Sequence, residues 1–163
     1  MSKLNKTQPE LSLSVQYGVQ EKRLPRWRIR RWVMRAICAA HADGRVAFER
    51  MHLGVRLVGA AEGRTLNASY RHKDYATNVL TFEYGVTPDG TASGDIVICI
   101  PVLSREARKQ HKNILDHAAH LTIHGTLHAL GYDHIKAREA KHMEALETAM
   151  LAQLQITDPY ILP

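Results

Sequence analysis

The sequence predicts an α+β fold: one domain in which a sheet of about four strands has helices packed against it, with a metal site at the C-terminal end of a central helix. Three observations lead there. Four short stretches show the two-residue alternation or the β-branched enrichment of strands, and five longer stretches repeat their apolar residues at helical spacing. They follow one another along the chain without repeats, linkers or low-complexity runs. A length of 163 residues, 45% hydrophobic and 23% charged, suits one domain that buries its own core without disulfides or a structural metal.

Residues 1–10 are polar and read as a loose N-terminal segment ahead of a single domain over 11–163. Leu11, Leu13, Val15 and Tyr17 alternate with Ser12, Ser14 and Gln16, the period of a half-buried first strand. Pro25 suits a first helical turn and Gly44 a stop, which places a helix from about Arg26 to His41. Trp27, Ile29, Trp32, Val33, Ala36, Ile37 and Ala40 fall close to one face of it, and Arg26, Arg28, Arg30, Arg31 and Arg35 spread over the rest. Those arginines read first as a solvated face; Arg28, Arg30 and Arg31 are also candidates for a patch that tracks the phosphates of a nucleic acid.

A second strand is placed at His52 to Val58 and a short helix at Ala60 to Arg71. The polar segment Tyr70-Arg71-His72-Lys73-Asp74-Tyr75-Ala76-Thr77-Asn78 then leads into a third strand, Val79 to Tyr84. Gly85 to Gly94 reads as a turn-rich loop by its glycine and proline, and Asp95 to Ile100 as a central strand buried on both faces, closed by Pro101. A helix capped by Ser104 runs to about His111, a second from Lys112 to about Leu130, and a last from about Ala137 to Gln155. In that last helix Met143, Leu146, Met150, Leu151 and Leu154 form an ordinary packing stripe.

Composition bounds the function. Cys38 and Cys99 are far apart, sit in apolar runs and form no C-x-x-C pair, which fits free thiols in a reducing compartment. The N-terminal stretch has no apolar signal core, and no run of eighteen apolar residues occurs, so the expectation is a cytoplasmic protein that does not engage membranes. A formal charge of +6 points to a polyanionic partner without choosing which.

The chemistry is concentrated in Ala119 to Ile135, AHLTIHGTLHALGYDHI. His124 and His128 are four apart, so a helix projects both imidazoles from one face toward a common ion. Gly131 is placed to stop that helix, and His134 beyond the turn can approach from another direction. Three protein ligands leave a fourth position open, the pattern of a catalytic zinc site, although such donors also accept other divalent ions. The spacing matches the metzincin protease motif at every metal-related position, but Gly125 stands where that motif carries its general-base glutamate. His120 extends the stripe toward the N-terminus; from there to His128 the helix rises roughly 12 Å, too far for one ion to hold both ends.

Three blocks carry a wider likeness: HGTLHALGYDH at 124–134, LNASYRHKDYATNVLTFEY at 66–84 and GDIVICI at 94–100. In these the chain resembles the YbeY family of bacterial endoribonucleases. The resemblance implies a zinc-dependent, single-strand-specific endoribonuclease acting in 16S ribosomal RNA 3′-end maturation and ribosome quality control. It implies RNA as substrate, and the small ribosomal subunit and assembly factors as partners. It also implies that His124, His128 and His134 hold one zinc ion and that Arg71 is a functional arginine. Ala76 and Thr81 depart from the family's usual proline and serine, and the arginine-rich first helix inherits nothing from the comparison. An arginine at 71 suits phosphoryl oxygens, Lys73 is a further candidate for RNA contact, and Asp133 could orient a ligand histidine or act as a base. The competing readings are a noncatalytic RNA-binding assembly factor with a structural zinc and, disfavoured by Gly125, a metalloprotease.

Overall fold

Parallel pairing of distant strands accounts for the architecture of the protein, seen in a computed structural model that describes residues 8–160. Strand β1 (Glu10–Tyr17) pairs in parallel with β2 (Arg50–Val58), Leu13 opposite Leu53, and helix α1 (Arg26–Asp43) makes the crossover between them. Helix α2 (Ala60–Arg71) follows β2 and delivers the chain to the sheet's far edge, where β3 (Val79–Val86) and β4 (Thr91–Cys99) form an antiparallel hairpin. Strand β4 lies parallel to β2, so the sheet order is β1-β2-β4-β3 with β3 at an edge. Helices α3 (Ile100–Lys109), α4 (Ile114–Ala129) and α5 (Ala137–Gln153) complete the chain. Most of the loose segment expected over 1–10 lies outside the described residues, and Glu10 already belongs to β1.

The side-chain alternation of β4 divides the helices between the two faces. Ile96 and Ile98 join the larger core with Ile29, Ile37, Ile123 and Leu127 from α1 and α4. Val97 and Cys99 point the other way, into a smaller cluster with Val58, Leu80 and Val102 against which Leu66 of α2 packs. Helix α4 is therefore enclosed by α1, α3, α5 and the β3–β4 hairpin, and its buried Thr122 and Thr126 hydroxyls are satisfied by donating to the carbonyls of Ala118 and Thr122, both at 2.7 Å. No helix among the described residues is long and apolar enough to cross a membrane.

Several boundaries differ from the sequence reading. The stretch expected to be a loop, Gly85 to Gly94, is mostly strand: only residues 87–90 turn, with the Gly90 amide donating to the Thr87 carbonyl at 2.9 Å and Asp89 accepting from Thr91. Helix α3 begins at Ile100, with Pro101 inside its first turn where no amide is needed, so Ser104 is not its cap. Helix α4 begins after Asn113, whose side chain accepts from the Leu115 amide at 2.8 Å. Trp27, expected on the buried face of α1, is 59% exposed, and the Arg28 guanidinium stacks over its ring at 4.8 Å.

Candidate metal centre

Helix α4 ends in a Schellman turn, and that turn builds the site. The Tyr132 amide donates to the Leu127 carbonyl at 3.0 Å and the Gly131 amide to the His128 carbonyl at 2.9 Å, while Gly131 adopts φ +100°, open to glycine and strained for other residues. The chain reverses at once. Asp133 then accepts from the amides of His134 and Ile135 at 2.6 and 3.1 Å, which fixes the loop carrying His134. Its carboxylate makes no hydrogen bond to an imidazole among the described residues.

His124, His128 and His134 converge. Their ring centroids lie 4.6 Å (His124–His128), 4.7 Å (His128–His134) and 5.8 Å (His124–His134) apart, and one nitrogen from each lies within 4.8 Å of the others. Burial, reinforced by the neighbouring His124 and His134, lowers the His128 pKa to about 4 and keeps a lone pair free for a cation at neutral pH. Three imidazole nitrogen donors, with no protein carboxylate among them, fit a divalent ion of zinc's character at Zn–N distances of about 2.0–2.1 Å. Gly125 faces away from this point: a Cβ there would lie 3.1 Å from Cγ2 of Ile96. The position where a metzincin carries its base is thus pressed against the sheet.

The sequence reading missed Glu147, which lies 0% exposed in α5 and accepts from His124 Nδ1, from His120 Nε2 at 3.3 Å and from the Tyr160 hydroxyl. Burial alone would raise the Glu147 pKa; the hydrogen bonds from His120 and His124 and the His124 charge outweigh it and hold the carboxyl at about 2. The signal was available: Met143, Glu147, Met150 and Leu151 share one buried stripe, and a glutamate in such a stripe needs a partner. His120, Glu147 and His124 form a second group whose donor atoms lie within 4.8 Å of one another.

The remaining candidates stand elsewhere. Arg71 and Lys73 are exposed at and just beyond the C-terminus of α2, with no ion pair among the described residues, whereas the neighbouring Asp74 is held by Arg64 at 2.7 and 2.8 Å. Helix α2 packs on the sheet face opposite α4, but both helices reach edge strand β3: the Tyr70 ring meets Phe82 at 5.0 Å, and α4 lies along β3 from the other side. Arg30 and Arg31 are exposed and Arg28 half-buried on α1, which packs against α4, α5 and β1. Arg28 also donates to the Arg23 carbonyl at 2.7 Å.

Comparison with known proteins adds three findings. A family model described as Endoribonuclease YbeY matches residues 15–155. Proteins named Endoribonuclease YbeY from Bordetella petrii and Bordetella pertussis are 70% and 68% identical over 152 residues, covering 93% of this chain and 98% and 97% of theirs; one from Burkholderia pseudomallei is 51% identical over 159 residues, covering 93% and 81%. A solution structure from Thermotoga maritima shares the fold with a TM-score of 0.58 at 19% identity, over 92% of this chain and 99% of that one.

Proposed function

Since the chain belongs to the YbeY endoribonuclease family, we propose that it hydrolyses phosphodiester bonds in single-stranded ribosomal RNA, using one zinc ion held by His124, His128 and His134. It is an endoribonuclease acting in ribosomal RNA processing. The finer reading, 16S 3′-end maturation beside the small subunit and assembly factors in the cytoplasm, is part of the proposal, and that membership supports it. The observation that carries the zinc assignment is the convergence of the three imidazoles at the end of α4.

When bound, the ion would supply a Lewis acid that polarises a phosphoryl oxygen and acidifies bound water. The protein's own side chains do the rest. His128, kept neutral by burial, and His124, fixed by Glu147, present nitrogen donors from a rigid helix, and His134 closes the set from the turn. Arg71 offers a planar pair of donors to phosphoryl oxygens of an RNA strand lying over the β3 edge, stabilising the charge that builds up in the transition state. Without a carboxylate at 125, the protease general base is missing, which favours an already anionic, phosphate-containing substrate over a peptide.

The test is His128→Ala. Loss of bound zinc and of RNA cleavage, with the melting temperature little changed, supports a catalytic ion. Collapse of melting with RNA binding intact supports instead an assembly factor whose metal staples the fold.

A further inference from the structure

Glu147 lies in α5, remote in sequence from the histidines of α4, and is the one buried carboxylate among the described residues. An isolated carboxylate in that position would be expelled or neutralised, so its partners define what it does. Oε1 takes His124 Nδ1, and Oε2 takes the Tyr160 hydroxyl and His120 Nε2. With Nδ1 committed to Glu147, Nε2 is the nitrogen His124 has left for an ion shared with His128 and His134. Tyr160 arrives from beyond the end of α5, and its own hydroxyl is 3.3 Å from His120 Nε2, so Oε2 is tied to two elements while Oε1 holds the ligand.

We propose that Glu147 is the positioning residue of the metal centre: it fixes the tautomer and ring orientation of His124, and is itself held by Tyr160 and His120. This rests on the reading that His124, His128 and His134 bind the ion. A histidine ligand whose second nitrogen donates to a carboxylate is a more basic and better-oriented ligand, and loss of such a partner typically weakens metal binding by about 10–100-fold. The same atoms could alternatively hold a second ion between His120, His124 and Glu147. That arrangement would require both Glu147 oxygens to surrender hydrogen bonds already made, and it would turn the His124 ring to a different duty.

The experiment is zinc titration of the full chain against a chelator of known affinity, comparing wild type, Glu147→Gln and His128→Ala, each checked for folding by circular dichroism. The proposal expects one ion per wild-type chain, binding about 10–100-fold weaker in E147Q and lost in H128A. Wild-type affinity in E147Q alongside loss in H128A overturns the role of Glu147 while leaving the ligands standing. Tight binding in H128A overturns the ligand set itself. A second wild-type ion that disappears in E147Q makes Glu147 a ligand and also refutes the proposal. Should E147Q fail to fold, the wild-type protein still answers: imidazole nitrogen resonances of the zinc-loaded chain are expected to show His124 protonated at Nδ1 and metal-bound at Nε2, and the reverse assignment overturns it.

Discussion

The convergence of His124, His128 and His134 was legible because their geometry is local. A four-residue step on a helix, a glycine that ends it and a turn of three residues fix where three imidazoles lie almost regardless of the rest of the fold. Glu147 was not legible in the same way, because its partnership with His124 depends on how α5 packs against α4. Asp133 shows the opposite limit: adjacency to His134 suggested a role toward an imidazole, whereas the contacts its Oδ1 makes are to the backbone amides of His134 and Ile135. Arg71 has neither burial nor, among the described residues, a partner to explain it structurally, which makes it a clean site to probe. Arg71→Ala is expected to lower the cleavage rate by about 10²–10³-fold, the usual cost of removing a donor to transition-state charge, with zinc content and melting temperature unchanged. Arg71→Lys should recover only part, since an ammonium lacks the paired planar donors. Single-turnover cleavage of a single-stranded RNA, with metal content measured on the same samples, checks both.

Whole elements were recovered where periodicity was long, and lost precision where turn chemistry decided. The hairpin joining β3 and β4 hid inside a run rich in glycine, because Gly85 and Gly94 sit in strands and only Gly90 serves the turn. Gly94 has a packing reason instead. A Cβ there would lie 2.8 Å from Ala129 Cβ and 2.8 Å from the Phe82 carbonyl oxygen, so its missing side chain lets α4 settle onto β4 one residue beyond His128. Neither neighbour is the flexible end of a long side chain. Gly94→Ala is therefore expected to push the end of α4 off the sheet, destabilising the fold by about 1–3 kcal/mol as overpacking does. Because His128 rides on that turn, zinc affinity should fall as well. Denaturant unfolding of the metal-free chain and chelator competition on the folded one measure the two effects separately; a loss of stability with unaltered affinity would mean that the turn moves without the imidazoles.

At the scale of the molecule, what no sequence pattern displayed is the division of labour between the two faces of the sheet. The α4 face carries the main core and the imidazoles, while α2 covers only part of the other, leaving a groove of about 750 Å³ lined by Ser12, His52, Arg56, Tyr70, Tyr84 and Asp95. Strand β3 is the edge both faces share, and in the proposed reading an RNA strand would cross it between Arg71 and the histidines. The α4 face is braced by a polar junction that ties α1 and α5 to the turn after α4: Asp43 at the end of α1 accepts from the Tyr132 hydroxyl at 2.5 Å and from His142 of α5 at 2.9 Å. Burial works to raise the Asp43 pKa, but the hydrogen bonds from Tyr132 and His142 prevail and hold it below its ordinary value of 3.8. A carboxylate whose pKa is depressed on folding binds fewer protons in the native state, so its contribution is complete above the ordinary value and disappears as pH falls through the native one. The metal-free chain should therefore lose stability below about pH 4, and Asp43→Asn should lower stability at neutral pH and flatten that acid limb. Melting temperature against pH for the two proteins gives the difference curve, and parallel curves would show that the junction binds the helices by packing rather than by its charge.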